Sequence, residues 1–129
     1  MIDSETLATL HRAATATPRL EGLVLFGSRA RGDAGMNSDW DFGFLGRECD
    51  SATLLGALVL ALKTDRVDLV DLSTAGAVLR YRAAADGVVI FEARPGIFAR
   101  FWFAAVSFWL DMGGLIHAEQ ARLIAETAK

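Results

Sequence analysis

Four short apolar segments, separated by stretches with helical spacing, constrain the fold of this chain more than any other feature. The segments cover residues 20–26, 39–45, 66–72 and 88–91. Each has the length of a β-strand and is too short for a typical helix. The alternation of strands with helices predicts one small sheet domain of the α/β or α+β class, with helices packed on it.

The stretches between and around these segments read as helices. We expect a first helix over 3–16 capped by Asp3 or Ser4, a short helix that begins at Arg29, and a helix over 52–63 capped by Ser51. The 52–63 segment is apolar almost all round, so it is expected to be well buried. Further helices are predicted over 74–84 and, in a long tail weakened near Gly113 and Gly114, over 97–126.

Length and charge limit the classes of protein to consider. The 129 residues form one domain, 1–129, with a sheet core over about 20–92 and a helical tail over about 97–126. The net charge of −3 argues against a general basic surface, so we expect no direct binding of nucleic acid. A single cysteine, Cys49, cannot form an internal disulfide and fits a reducing compartment.

Hydropathy predicts a cytoplasmic protein without membrane contact. The longest apolar stretches, 54–62 and 101–110, are shorter than the ~20 residues of a spanning helix. The first residues lack the basic and then apolar pattern of a signal peptide.

Two aspartates at the start of the second segment suggest a metal site. Side chains alternate along a strand, so Asp39 and Asp41 share one face while Trp40, Phe42 and Phe44 occupy the other. Neighbouring carboxylates repel one another unless a cation lies between them, and hard oxygen ligands suit Mg²⁺. Taken alone, an Asp-X-Asp pair is more often a solvated strand face, so its surroundings decide.

A glycine and a serine stand where the first strand is expected to turn into a helix. Gly27 lets a phosphate approach the backbone, and the free N–H groups there favour an anion beside Ser28. Arg29 and Arg31 add positive charge, although either arginine is equally well explained as a solvated surface residue. Phosphate-binding groups beside a carboxylate pair are typical of phosphoryl or nucleotidyl transfer.

The third segment adds one more carboxylate. If the second and third strands are neighbours, Asp68 stands beside Asp39 and Asp41, and three converging carboxylates can hold two metal ions. Asp71 falls on the opposite face and is interpreted as structural or exposed.

These residues carry a family resemblance. The segment GSRARGDAGMNSDWDFGFL (residues 27–45), with ten residues between Gly-Ser and Asp-X-Asp, and the segment RVDLVDLS (residues 66–73) resemble the polymerase-β-type nucleotidyltransferase superfamily. Within it, the chain is similar to the minimal nucleotidyltransferase (MNT) branch, whose members pair with HEPN-domain ribonuclease toxins. The resemblance covers residues 20–92 in element order.

The resemblance implies a fold, a reaction and a set of roles. The fold is a small mixed, mainly antiparallel sheet backed by helices. Asp39 and Asp41 would bind two Mg²⁺ ions, and Asp68 would complete the metal site and take the proton from the acceptor hydroxyl. Gly27 and Ser28, with Arg29 and Arg31, would hold ATP. The implied function is that of the antitoxin of a type VII HEPN/MNT system, which transfers AMP from ATP to a tyrosine of its cognate toxin.

Two other functions remain open. The chain can be a nucleotidyltransferase for a small molecule such as an aminoglycoside, but such enzymes carry additional helical domains for which this chain has no spare residues. It can also be a non-catalytic antitoxin that neutralises a toxin by contact, although its intact Asp39, Asp41 and Asp68 argue against that reading.

The helical tail carries more apolar surface than one face of a helix needs. Positions 98, 101, 105, 109, 112 and 116 form a stripe typical of core packing, while Phe103, Val106 and Leu110 extend a second apolar face. Because aromatic residues are enriched at interfaces, we expect the tail to form a homodimer or a larger assembly with the toxin. Cys49, with no His or Lys beside it in sequence, is expected to be unreactive.

Overall fold

The computed structural model describes residues 2–35 and 37–111. Its elements in chain order are α1 (Ser4–Thr15), β1 (Gly22–Phe26), α2 (Ser28–Arg31), β2 (Trp40–Leu45), α3 (Ser51–Leu62), β3 (Val67–Asp71), α4 (Ala77–Asp86) and β4 (Val88–Glu92). A last helix, α5, begins at residue 97 and is helical to residue 111. This order confirms the predicted alternation, with boundaries that shift by one to three residues.

The strands form one mixed sheet in the order β3-β2-β1-β4. β1 runs antiparallel to both β2 and β4, whereas β2 and β3 are parallel. The sheet is therefore mainly antiparallel, as the resemblance implied. The parallel pair places the starts of β2 and β3 at the same end of the sheet, because parallel strands share a direction.

The two faces of the sheet carry separate apolar clusters. On one face, Phe42 and Phe44 of β2 pack with Leu10 of α1 and Leu54 and Leu58 of α3. The other face has a second cluster, built from Val24, Phe26, Leu72, Ala83, Ala84, Phe101 and Ala105, where α4 and α5 lie on the sheet. The side chains of Asp41 and Asp68 belong by alternation to this second face.

The cap of α3 differs from the sequence-based expectation. Asp50 is the N-cap, and its carboxylate accepts hydrogen bonds from the Ala52 N–H at 3.1 Å and from the Thr53 hydroxyl at 2.9 Å. The prediction that Ser51 caps the helix was wrong by one residue, because a carboxylate at 50 reaches the free N–H groups first. α1 begins as expected, with Asp3 accepting from the Thr6 N–H.

α3 is also less buried than its composition predicts. Leu54 and Leu58 are fully buried against the sheet, but Leu60 is 79% exposed and Leu55 is exposed as well. The expectation of a well-buried helix was therefore wrong: α3 is a surface helix with apolar residues on its outer side.

The described part of α5 matches the predicted stripe. Phe101 and Ala105 are buried, and Trp109 stacks on Tyr81 of α4 with ring centroids 4.9 Å apart. Val106 packs against the same core cluster, so its assignment to the outer face was wrong. Positions 112 and 116 and the glycines at 113 and 114 lie outside the described residues. None of the described helices has the length and hydropathy needed to cross a bilayer.

Candidate active site

The centre of the site is a pair of aspartates on adjacent strands. Asp41 of β2 and Asp68 of β3 are register partners in the parallel pair, so their side chains stand side by side, roughly 5 Å apart at the backbone. Both line a cavity of about 770 Å³ over the sheet face that carries α4. The structure thus brings together two of the three carboxylates that the sequence singled out.

Gly27 and Ser28 line the same cavity at the turn from β1 into α2. Gly27 has φ 76° and ψ −158°, a backbone conformation that residues with a side chain rarely adopt. A Cβ atom at this position would overlap the Asp41 carboxylate. Glycine is therefore required here both for the turn and for the approach of the backbone to Asp41.

The electrostatics of the pair follow from this crowding. Burial raises the pKa of the Asp41 carboxyl, and the negative charges of Asp68 and Asp39 raise it further, against an opposing effect of Arg31. Like charges at this distance disfavour the ionised form unless a cation compensates them. A bound cation would therefore stabilise the ionised form of Asp41.

Asp39 lies beside the site rather than in it. It precedes β2, its side chain is exposed, and it is not among the residues that line the cavity. Within residues 2–35 and 37–111, no three His, Cys, Asp or Glu side chains are arranged to hold a metal ion. The structure thus brings Asp41 and Asp68 together in the cavity, and Asp39 lies near enough for its charge to act on Asp41; that Asp39 binds metal stays a prediction.

The pair fits Mg²⁺ by its donor chemistry. Mg²⁺ is commonly bound by one or two carboxylates and completes its octahedron with water and substrate phosphates. Asp41 and Asp68 supply those two carboxylates, and the raised pKa of Asp41 marks the uncompensated charge that such an ion would offset.

The two arginines of α2 occupy different places. Arg29 turns away from the cavity: its guanidinium stacks over the Trp40 ring at 4.2 Å and donates to the Ser38 carbonyl at 2.8 and 3.1 Å. It holds the loop that leads into β2. In this arrangement Arg29 positions the start of the strand that carries Asp41, and its role in binding ATP stays a prediction.

Arg31 does line the cavity, but two carboxylates hold it. Its guanidinium pairs with Asp33 at 3.2 Å and with Asp86 of α4 at 3.1 Å, and these hydrogen bonds raise the pKa of Arg31. The Arg31–Asp86 pair ties α2 to α4 across one end of the cavity.

Sequence reasoning missed the contribution of α4. Leu79, Arg82 and Asp86 line the cavity from this helix. They follow a spacing of three and then four residues, which puts them on one helix face. That spacing was readable in the sequence, but it pointed to function only once α4 was known to lie above Asp41 and Asp68.

Asp71 has a structural role, as expected, and Cys49 is a thiol whose pKa is raised. The Asp71 carboxylate accepts hydrogen bonds from the backbone and hydroxyl of Ser73 and so closes the turn after β3. Cys49 is a half-buried free thiol; burial raises its pKa, and the charges of Asp50 and Asp71 add to the effect.

With this geometry established, comparison with known proteins identifies the family. Residues 9–95, which span both strands of the aspartate pair and the Gly27-Ser28 turn, match the family described as polymerase beta, nucleotidyltransferase. The chain belongs to this nucleotidyltransferase family. Its fold, a mixed four-stranded sheet with helices on both faces, is the one expected from the resemblance.

A protein of named activity is similar to part of the chain. It is 35% identical over 98 residues to Protein adenylyltransferase MntA from Aphanizomenon flos-aquae (strain 2012/KM1/D3); the match covers 66% of this chain and 65% of that relative, just under two thirds of its length.

Solved structures of toxin–antitoxin systems are similar along the whole chain. A chain in a crystal structure of a toxin-antitoxin with AMP-PNP has a TM-score of 0.67 at 27% identity, covering 99% of this chain and 100% of that one. A chain in a structure of the tri-AMPylated Shewanella oneidensis HEPN toxin in complex with MNT antitoxin shares the fold, with a TM-score of 0.66 at 23% identity over 99% and 100% of the two chains.

Proposed function

We propose that this protein is a Mg²⁺-dependent adenylyltransferase that transfers AMP from ATP to a tyrosine of a HEPN-domain toxin and acts as its antitoxin. The observation that carries the proposal is the side-by-side placement of Asp41 and Asp68 in a cavity that Gly27 and Ser28 also line. Support comes from membership of the nucleotidyltransferase family and from the similarity to the adenylyltransferase MntA.

The reaction needs a group that accepts the proton of the attacking hydroxyl, and the cavity can supply one. A tyrosine hydroxyl has an ordinary pKa of about 10, so it must lose its proton as it attacks the α-phosphorus. The new bond joins the tyrosine oxygen to that phosphorus, the bond to the β-phosphate oxygen breaks, and pyrophosphate leaves. Asp68 is exposed in the cavity whereas Asp41 is half-buried, so Asp68 is the carboxylate within reach of an incoming hydroxyl.

The other residues bind and orient. Gly27 and Ser28 hold the triphosphate through backbone N–H groups at the β1–α2 turn. Asp41 and Asp68, with Asp39 beside them, would hold magnesium, two ions in all, which when bound neutralises phosphate charge and lowers the pKa of the attacking hydroxyl. Arg29 keeps the loop before Asp39 in place by its contacts with Ser38 and Trp40.

The test is a transfer assay with α-labelled ATP, Mg²⁺ and a purified HEPN-domain toxin encoded beside this protein. Label on the toxin, lost when its tyrosines are replaced by phenylalanine, is the expected result. Label on an aminoglycoside instead of the toxin would identify a small-molecule nucleotidyltransferase. A stable complex without any label would identify a non-catalytic antitoxin. Either of the last two results overturns the proposal.

We also propose that the outer face of α5, formed by Phe103 and Leu110, contacts the toxin. These side chains are 67% and 66% exposed, and large apolar residues exposed to this degree on one helix favour a protein interface. Phe103→Asp and Leu110→Asp are expected to abolish co-elution with the toxin while nucleotide binding persists. Leu60→Asp on α3, 79% exposed in the wild type, is the matched control. It should leave the complex intact, because α3 exposes only leucines whereas α5 exposes Trp102, Phe103 and Phe108, and aromatic residues are the ones enriched at interfaces.

The same experiment separates the toxin from a second copy of the chain. If the isolated protein is a dimer that Phe103→Asp converts to a monomer while toxin binding is unchanged, the face belongs to a homodimer. That result would contradict the proposed toxin contact.

A further inference from the structure

One wall of the cavity comes from α4, which lies on the sheet through two alanines. Ala83 and Ala84 are buried against Val24 and Phe26 of β1. Their small side chains seat the helix close to the strand, so the neighbouring positions Arg82 and Asp86 are carried to the edge of the cavity. Arg82 therefore faces the space above Asp41 and Asp68 from the helix layer.

The two arginines of the cavity differ in what already binds them. Arg31 is held by Asp33 and Asp86. Arg82, by contrast, has no hydrogen bond or ion pair with any residue of 2–35 or 37–111, and its side chain is exposed. This is so although three carboxylates, those of Asp41, Asp68 and Asp86, line the same cavity.

The charge of the cavity explains what such an arginine can bind. A guanidinium presents a planar set of N–H donors that matches phosphate oxygens in pairs. Asp41 and Asp68 on the sheet side suit a cation, whereas Arg82 on the helix side suits an anion. Because Arg82 lines the same cavity as the two aspartates and the Gly27–Ser28 turn, a triphosphate bound there would have its outer phosphates in a space that Arg82 also lines.

We propose that Arg82 binds the phosphates of the nucleotide beyond the α-phosphate. The inference rests on the proposed nucleotidyl transfer and adds to it a substrate-binding residue on α4. Arg82 thereby distinguishes a nucleoside triphosphate from a monophosphate, because the monophosphate has no phosphate beyond the α-phosphate.

The test measures binding without any protein acceptor. Calorimetric titrations with AMP-PNP and with AMP, each with Mg²⁺, are compared for the wild type and Arg82→Gln. AMP-PNP is expected to bind the variant about tenfold or more weakly, the scale of one lost charge-assisted hydrogen-bonded contact, while AMP binding changes less than about twofold. Arg82→Lys keeps the charge without the planar donor set, so its affinity for AMP-PNP should lie between those of the wild type and Arg82→Gln.

Arg47→Gln is the matched control. Arg47 is exposed in the turn after β2, at the far end of that strand from Asp41, and its replacement makes the same change in charge. If Arg82→Gln and Arg47→Gln lose the same affinity for AMP-PNP, the loss comes from the change in net charge and not from a contact of Arg82. That result would overturn the proposal.

Two further outcomes are decisive. Wild-type affinity for AMP-PNP in Arg82→Gln overturns the inference, and if transfer to the toxin is nevertheless lost, Arg82 serves the acceptor instead. A wild-type protein that binds no AMP-PNP at all would overturn the proposed function itself, which separates the failure of one proposal from the failure of the other. Thermal unfolding followed by circular dichroism shows that each variant is folded.

Discussion

The backbone of Gly27 approaches the Asp41 carboxylate so closely that a Cβ atom at position 27 would overlap it. The same glycine has φ 76° and ψ −158°, which puts it in a region of backbone space used almost exclusively by glycine. The turn that presents Ser28 and the carboxylate that faces it are therefore one structural unit. A change at position 27 has to affect both stability and the site.

Gly27→Ala is expected to destabilise the fold by about 1–3 kcal/mol, because alanine is strained in this conformation, and to abolish nucleotide binding. Urea unfolding and AMP-PNP titration measure the two effects. Gly56→Ala is the matched control: Gly56 lies inside α3 with open space at its Cβ position, so alanine should stabilise by about 0.5–1 kcal/mol. A neutral effect at position 27 would contradict the geometry described.

Asp41→Asn is expected to raise the urea midpoint in EDTA at neutral pH. The pKa of Asp41 is raised in the folded chain, mainly by burial, so the ionised carboxylate is less favourable there than in the unfolded chain and lowers stability. This cost is present at neutral pH and disappears as the pH falls through the raised pKa.

The stability advantage of Asp41→Asn should therefore shrink as unfolding is measured at successively lower pH. In the same variant, adding Mg²⁺ with AMP-PNP should stabilise less than it does in the wild type, because a ligand that binds only the folded state stabilises it. A clear loss of stability in EDTA would contradict the crowded-carboxylate account.

Alternation along strands made the aspartate pair predictable. Asp41 and Asp68 fall on one face once β2 and β3 are neighbours, and the structure pairs them in register. Asp39 was harder to place, because β2 begins at Trp40 and strand alternation does not extend to the residue before it. The prediction that Asp39 binds metal remains to be tested.

The parts that the sequence did not predict depend on tertiary packing. Arg29 and Arg31 are two residues apart on a short helix and look alike in sequence, yet one stacks on Trp40 and the other pairs with Asp86, 55 residues away. Arg82 lies on a helix whose position over the sheet is set by the burial of Ala83 and Ala84. Neither fact follows from local residue patterns.

Asp50→Ala is expected to cost about 1 kcal/mol of stability through the loss of the α3 cap, whereas Ser51→Ala should be nearly neutral. The reason is that Asp50, not Ser51, accepts from the Ala52 N–H at the start of the helix. Urea denaturation of the two single variants makes the comparison. A larger loss of stability in Ser51→Ala than in Asp50→Ala would show that Ser51 is the cap, as the sequence predicted.

Cys49 is expected to react slowly with iodoacetamide near neutral pH. Its pKa is raised above the ordinary 9.0, first by burial and then by Asp50 and Asp71, so the reactive thiolate is scarce there. The alkylation rate should rise with pH to a midpoint above 9.0, and in denaturant the midpoint should fall. A midpoint below 9.0 in the folded protein would contradict this account.

The most direct test of the account is the rate of AMP transfer to the toxin by Asp68→Asn, measured beside Asp65→Asn. Both variants remove one negative charge within four residues of each other, but Asp65 precedes β3 and is not among the residues lining the cavity. The account predicts at least about a hundredfold loss for Asp68→Asn, since it removes a metal-binding and proton-accepting group, and near wild-type transfer for Asp65→Asn. Wild-type transfer by a correctly folded Asp68→Asn protein would contradict it.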